Sequence, residues 1–378
     1  MLRASGKPYW VLRYTLFQKR RTITLGKLSE MPLKEARLKA AEQRKLISEG
    51  VDPIAKRKSA HQVSIHFVDD LFEDWHQELS KRLKHPNIPA RIYRKEIAPL
   101  IGQQQIKHVT PLDIRQIVQK VANSGRPTIA NDTLMYCKQM FRHAVKFQFA
   151  DSNPALALEV SDAGGIESAR ERHLSIKEIE QVFAVFRENI FSFGRDNYLA
   201  CALLLCLGVR KGELTEAKWE EFDLGNAVWS LPSERSKTGS GFDVPLPAIA
   251  VEWLEELHTR ACGSEYVFPN RRASKVPHMG KDTLNRAIAK LFGREAGRKQ
   301  QPPNKMGELE YFSVHDLRRT CRSLLASAGV PSHIAERCLN HKLKGVEGIY
   351  DKYDYMDERR DALEKIVDSI APSINHND

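Results

Sequence analysis

The sequence is poor in the features that mark membrane and disulfide-built proteins. No apolar run reaches the roughly 18 residues that span a bilayer. The longest, LACALLLCLG (199–208), suits a buried helix instead. Met1-Leu2-Arg3 leads directly into polar sequence, so no secretory signal is visible. The six cysteines (137, 201, 206, 262, 321, 338) form no C-x-x-C pair, which argues against a disulfide framework and against a zinc ribbon. Cys201 and Cys206 fall in the apolar run and read as small core residues. Cys338 and His341 have a ligand-like spacing, but no second pair accompanies them, so no metal site is expected. A reducing cytoplasm fits these absences. Internal repeats and low-complexity tracts are lacking as well.

Acidic residues are the other shortage. Against 59 Lys and Arg stand 48 Asp and Glu, giving a formal net charge of +11, which makes a polyanion partner a reasonable expectation. Hydrophobic residues make up 42%, enough for buried cores, and 378 residues exceed one typical domain.

Three blocks follow one another. In residues 1–55, YWVLRYTLF and KRRTITLGKL read as two or three strands with a basic turn. A helix then carries an apolar stripe of Leu33, Ala36, Ala40 and Leu46 and ends before Gly50. So small a sheet and helix make a marginal core. DPIAKRKSAHQ is a charged linker. The block 61–162 looks all-helical. IHFVDDLFEDWHQEL puts Phe67, Leu71, Trp75 and Leu79 on one face, Thr110-Pro111 starts a helix, and TLMYCKQMFRHAVKF forms another that ends before Asn153-Pro154. After SDAGGIESARERH, the block 170–378 opens on Ser175-x-x-Glu178, a capping box. AVWSLPSERSKTGSGFDVPLP reads as a hairpin with strands near 227–232 and 242–246. Everything after Ala248 is expected to be mostly helical. The fold class is therefore mainly α with small antiparallel sheets (α+β), in several domains.

The last block carries cations, imidazoles and phenols in an order that suits phosphodiester chemistry without a metal. Arg210 in GVRKGEL ends the apolar helix, where it must meet a partner, and Glu213 could orient it. Lys237 lies in the hairpin turn, from which it could enter a minor groove or reach a leaving oxygen. Ser313-Val-His-Asp316 is a helix-start signature, so His315 and Arg318 share one face of the first turn or so. Free N–H groups and the helix dipole favour an anion there. Arg318 could hold two phosphate oxygens in its planar fork, and His315 could exchange a proton near neutral pH. Arg319 points elsewhere. His341 ends the helix PSHIAERCLN and precedes a basic Lys-Leu-Lys. Tyr350, Tyr353 and Tyr355 are rival nucleophiles, because a phenol needs nearby cations to become reactive and spacing alone does not choose among the three. Singly, most of these residues are better explained by an ordinary structural role. Their common order carries the case.

Together the segments GVRKGEL, HDLRRT and LNHKLKGVEGIYDKY resemble the boxes of the tyrosine recombinase (phage integrase) family. RYTLFQKRRTITLGKLSEMPLKEARLKAAEQRKLISEGVDP resembles the arm-binding domain of its satellite-prophage and genomic-island integrases. The resemblance covers nearly the whole chain. It implies a site-specific DNA recombinase that integrates or excises a mobile element. Residues 1–55 would be an arm-type DNA-binding domain, 61–162 a core-binding domain and 170–378 the catalytic domain. Arg210 and Arg318 would clamp the scissile phosphate, Lys237 would protonate the leaving oxygen, His315 would take part in proton transfer and His341 would hydrogen-bond the phosphate. Tyr350, eight residues beyond His341, would become a 3′-phosphotyrosine. No cofactor, ATP or metal is implied. The implied partners are double-stranded DNA attachment sites, further copies of the chain in a tetramer on DNA, and accessory DNA-bending proteins or an excisionase. The implied location is the nucleoid of a bacterial cytoplasm.

The sequence departs from the family pattern in two ways. Asn340 stands where glycine usually precedes the second histidine, and asparagine tolerates the left-handed conformation better than most residues. The chain also starts inside the arm-type domain, which is therefore expected to be incomplete. Two other readings share parts of this evidence. A type IB topoisomerase would share the chemistry but not strand exchange, and a DNA-binding regulator would have lost catalysis. The C-terminal stripe Leu363, Ile366, Val367 and Ile370 could dock on a neighbouring subunit or pack on its own domain.

Overall fold

A computed structural model describes residues 8–55, 65–168, 170–341 and 353–375. The chain divides into two compact units, one ending at Ser168 and the other beginning at Ala169.

The first unit opens with strands β1 (Tyr9–Leu16) and β2 (Lys19–Lys27), which pair antiparallel. Phe17 and Gln18 take positive φ at the two-residue turn between them. Helix α1 (Leu33–Ser48) follows, and Gly50 takes the left-handed conformation beyond its end. Of the expected stripe only Ala36 is fully buried. Leu33, at the first turn, is exposed, so the apolar face is narrower than the spacing suggested. Arg21 and Tyr14 both bond the Asp52 carboxylate, tying the hairpin to the segment after the helix.

The helical part of this unit runs through α2 (Val68–Ser80), α3 (Asn87–Ile92), α4 (Ala98–Ile101), α5 (Pro111–Asn123) and α6 (Pro127–Lys146). Leu71, Phe72, Trp75 and Leu79 of α2 are buried together with Ile114, Ile117, Cys137 and Phe141. Phe67 falls outside this face. It is the residue before the helix and is exposed, and Val68 takes the buried place. Thr110 caps α5 through the amide of Asp113, whose carboxylate bonds the Thr110 N–H in return.

The second unit is built around α9 (Arg195–Leu207), which follows α7 (Ile176–Glu188) and α8 (Ile190–Phe193). Every residue from Tyr198 to Leu207 is buried, Cys201 and Cys206 included. A helix apolar all round must be enclosed. Here it is enclosed by α11 (Ala248–Ala261), α13 (Val314–Ser327) and the C-terminal α15 (Met356–Ile374). The hairpin has a third strand that the sequence reading missed, giving the order β3 (Phe222–Asp223), β4 (Val228–Leu231), β5 (Phe242–Pro245). Two residues are too short for a periodic signal; Phe222 stacking on Trp229 fixes the register. Beyond Ala248 the chain is less helical than expected, because 262–282 and 292–313 flank α12 (Thr283–Leu291) as irregular segments.

The stripe Leu363, Ile366, Val367 and Ile370 is buried in this unit's own core. The end of α15 is tied down further where Tyr198 Oη donates to the Ile374 carbonyl at 2.5 Å and Arg187 Nη1 to that of Ser373 at 2.9 Å. Of the two placements open in the sequence, packing on its own domain is the one realised.

Candidate active site

The site forms where the ends of three helices meet the β4–β5 turn. Helix α9 stops at Gly208, which adopts φ +60. A Cβ there would stand 2.7 Å from the Cys321 sulfur of α13, so both the backbone sign and the packing require glycine. The sharp turn delivers Arg210 to the N-cap of the short helix α10 (Lys211–Thr215). Glu213 then holds it twice, accepting from the Arg210 backbone N–H and from Nη1, each at 3.0 Å. Arg210 Nη2 donates to the Asn340 carbonyl at 3.3 Å.

Arg318 lies one turn into α13 and is only 5% exposed. Its Nη1 donates to the Gly208 carbonyl at 2.5 Å, and its Nη2 to the Leu339 carbonyl. The two arginines therefore grip consecutive carbonyls, those of Leu339 and Asn340, at the end of α14 (Ser332–Cys338). Among the described residues, two of Arg318's five N–H donors are spent on this scaffold. Burial, reinforced by the neighbouring Arg210 charge, pushes the Arg318 guanidinium down to about 10. It is still a cation at neutral pH, and two desolvated cations side by side favour an anion between them.

Helix α13 starts as its signature predicts. The Asp316 carboxylate accepts from the Ser313 N–H at 2.7 Å and from its hydroxyl at 2.9 Å. The Val314 N–H is taken by Asn285 at 3.1 Å. With the Asp316 N–H on the Ser313 carbonyl, three of the leading amides have protein partners, contrary to the expectation that they stand free for an anion. Side chains, rather than the helix start, carry the case for phosphate here. Arg319 does point elsewhere, pairing with Asp316. His315 is solvent-exposed on one side. Its pKa is lowered, first by partial burial and then by the Arg319 and Arg318 charges, with Lys237 contributing in the same direction. The shift favours the neutral imidazole, the form able to accept a proton.

Lys237 is exposed in the β4–β5 turn, and its backbone N–H donates to Glu213 Oε1 at 3.3 Å. One buried carboxylate, Glu213, thus positions both Arg210 and the lysine turn. Arg235 braces the same turn from beneath, donating to the Glu213 carbonyl at 2.9 Å and to Glu221 Oε2 at 2.7 Å. Sequence reasoning missed Arg235 and Glu221. Their only signal was a charge pair flanking a strand, which is common.

His341 lies just past α14. Its Nδ1 is 2.5 Å from Glu336 Oε2, and Glu336 also accepts from Arg322 at 2.8 Å, so Nε2 is the nitrogen that can serve a phosphate. Tyr350 lies outside the described residues. The segment resumes at Tyr353, and there Arg359, fully buried, donates from Nε to the Asp354 carbonyl at 3.0 Å and from Nη1 to the Asp243 carbonyl of β5 at 2.7 Å. Both flanks of the 342–352 stretch are therefore anchored to the second unit. Arg210, Lys237, His315 and Arg318 are brought together, and His341 leaves the same helix end that the arginines hold. Among the described residues no group of three or more His, Cys, Asp or Glu could hold a metal ion.

A mainly helical unit that brings two arginines, a turn lysine and a histidine near one another suits the expectation of a tyrosine recombinase. Comparison with known proteins agrees. Residues 172–355 match the phage integrase family, residues 68–160 the phage integrase central domain and residues 1–60 an arm DNA-binding domain. The integrase of Shigella phage Sf6 is 27% identical, covering 98% of this chain and 92% of its own length. The prophage integrase IntS of Escherichia coli K12 is equally similar over the same shares, and the integrase of Enterobacteria phage P4 is 26% identical over 94% of this chain and 82% of its own. In fold the chain is similar to a lambda integrase dimer bound to a COC′ core site, with TM-score 0.60 and 17% identity over 94% of each chain. It is also similar to a lambda integrase tetramer bound to a Holliday junction, with TM-score 0.59 and 16% identity over the same shares. The chain belongs to the phage integrase family, the tyrosine recombinases, and is a site-specific recombinase, a DNA strand-transferring enzyme.

Proposed function

We propose that this recombinase integrates or excises a mobile element by cutting and rejoining double-stranded DNA attachment sites through Tyr350. The phenol oxygen attacks phosphorus and forms a 3′-phosphotyrosine, and a 5′-hydroxyl departs. The 5′-hydroxyl of a partner strand reverses the step. The phosphodiester's energy is kept in the phosphotyrosine, so the reaction needs neither ATP nor metal. Arg210 and Arg318 offset the charge on the non-bridging oxygens, Lys237 protonates the leaving oxygen, His315 takes part in proton transfer and His341 bonds the phosphate. The observation that carries this reading is the convergence of Arg210 and Arg318 on consecutive carbonyls at the end of α14, with the neighbouring carboxylate of Glu213 engaged by Arg210.

In the same reading residues 1–55 bind arm-type DNA, 61–162 bind core DNA and 170–378 catalyse. The active assembly is a tetramer on two duplexes in the bacterial nucleoid, assisted by DNA-bending proteins or an excisionase. The lambda integrase structures, as a dimer and a tetramer on DNA, support the assembly by analogy.

A suicide DNA substrate carrying the core site tests the chemistry. The parent protein should trap a covalent adduct, with or without EDTA. Tyr350→Phe should abolish the adduct, while Tyr353→Phe and Tyr355→Phe should retain it. Loss of the adduct in either of the latter with retention in Tyr350→Phe would overturn the assignment, and EDTA-sensitive cleavage would indicate a metal nuclease.

A further inference from the structure

Asn340 was expected to stand where a glycine would, and the structure gives its side chain a task that glycine could not perform. Helix α14 ends in a Schellman arrangement. The His341 N–H donates to the Glu336 carbonyl at 3.0 Å, and the Asn340 N–H to that of Arg337 at 2.9 Å. Asn340 occupies the left-handed position between them, at φ +50. Glycine is favoured there because it has no Cβ penalty, and asparagine is the next choice.

The amide this residue adds faces the Lys237 turn. Its Nδ2 donates to Ser236 Oγ at 3.3 Å, and its Oδ1 accepts from Thr238 Oγ1 at 3.5 Å, both at the long end of the hydrogen-bonding range. Ser236 is buried, and its hydroxyl is 2.8 Å from that of Thr238 and accepts from the Thr238 N–H at 3.3 Å. One amide thus spans the two residues that flank Lys237, while the Asn340 carbonyl is held by Arg210. This joins the turn to the two arginines by a second tie beside Glu213, which holds the Lys237 N–H.

We propose that Asn340 is a positioning residue for Lys237: its side-chain amide straps the Ser236–Thr238 turn to the phosphate pocket and so holds the lysine where a leaving oxygen is protonated. The inference rests on the general-acid role proposed for Lys237. The lysine sits in a glycine- and serine-rich turn and is exposed, so without the strap its ammonium samples positions away from the leaving 5′ oxygen. Only the step that needs its proton suffers. As the bond from phosphorus to the 5′ oxygen breaks, that oxygen takes the proton from Lys237 Nζ. A sulfur in the same bridging place departs as a thiolate and needs none.

The test compares single-turnover cleavage of two substrates, one with the natural oxygen and one with sulfur at the scissile 5′ position. Asn340→Gly removes the amide but suits the left-handed backbone, so folding is retained, as a thermal melt would verify. It should slow cleavage of the oxygen substrate about tenfold or more, part of the ~10²–10⁴ that a general acid supplies. The sulfur substrate should be cut at the parental rate. Ser236→Ala, which removes the other end of the strap, should show the same selective defect. Equal slowing on both substrates, or none on the oxygen substrate, would overturn the strap. Lys237→Ala tests the underlying reading separately. If sulfur restores Lys237→Ala but not Asn340→Gly, only the strap falls. If sulfur fails to restore Lys237→Ala, the general-acid role itself falls.

Discussion

At the scale of single residues, the candidate site holds cations near one another. His315 shows the consequence. Partial burial and then the Arg319 and Arg318 charges lower its pKa below the ordinary 6.5. An NMR titration of the DNA-free protein should therefore place its midpoint below 6.5. The linkage follows with a definite sign. Between 6.5 and the lowered folded value the unfolded chain binds a proton that the folded site resists, so stability falls as pH drops through that window. His315→Gln should remove this part of the pH dependence of the denaturation midpoint. A His315 midpoint at or above 6.5 would mean that the arginines do not act on it. Arg210, Lys237, His315 and Arg318 stood out in the sequence because their chemistry is unusual in that order, and the structure places them near one another. Asn340, Arg235 and Gly208 stood out less, because each acts through a carbonyl, a hydroxyl or a close approach that exists only once helices distant in sequence have met. Asn340 had been noted for its backbone tolerance alone; the work of its amide depends on a turn about a hundred residues away.

At the scale of elements, strong periodicity or capping chemistry was readable and marginal edges were not. The capped starts at Thr110, Ser175 and Ser313 all appear where the side chains indicated. Leu33 and Phe67 were misplaced because each stands at a helix entry, where the helical spacing no longer dictates which way a side chain faces. The C-terminal helix was open in the sequence because an apolar stripe does not name what covers it. Its covering now has a measurable consequence. Ile366 is fully buried in the second unit's core, so Ile366→Ala should cost about 2–5 kcal/mol in chemical denaturation of the DNA-free protein. Had this face served only to dock a neighbouring subunit, the same substitution would leave the isolated chain as stable as its parent and weaken assembly on DNA alone. The first turn of the helix carries Arg359, which clasps Asp354 and β5.

At the scale of the whole molecule, charge is the property that composition fixes and a single site cannot. A surplus of eleven positive charges is far more than the proposed phosphate site would use, since Arg210 and Arg318 would meet only one scissile phosphate. The remainder is spread over a chain that matches an arm-binding and a central domain as well as the catalytic family. If those segments all contact backbone phosphates, binding must release many counterions. Each neutralised phosphate contributes about −0.9 to the slope of log affinity against log salt, so a footprint of 6–10 contacts would give a slope of roughly −5 to −9. Fluorescence anisotropy with a core-site duplex between 50 and 200 mM salt should show a slope in that range. Replacing Arg210 by alanine should change the slope by only about one contact while abolishing cleavage, because its phosphate is one among many for affinity but one of a kind for chemistry. A slope near −1 to −2 would instead confine DNA recognition to the pocket and leave the basic surplus without a role in binding.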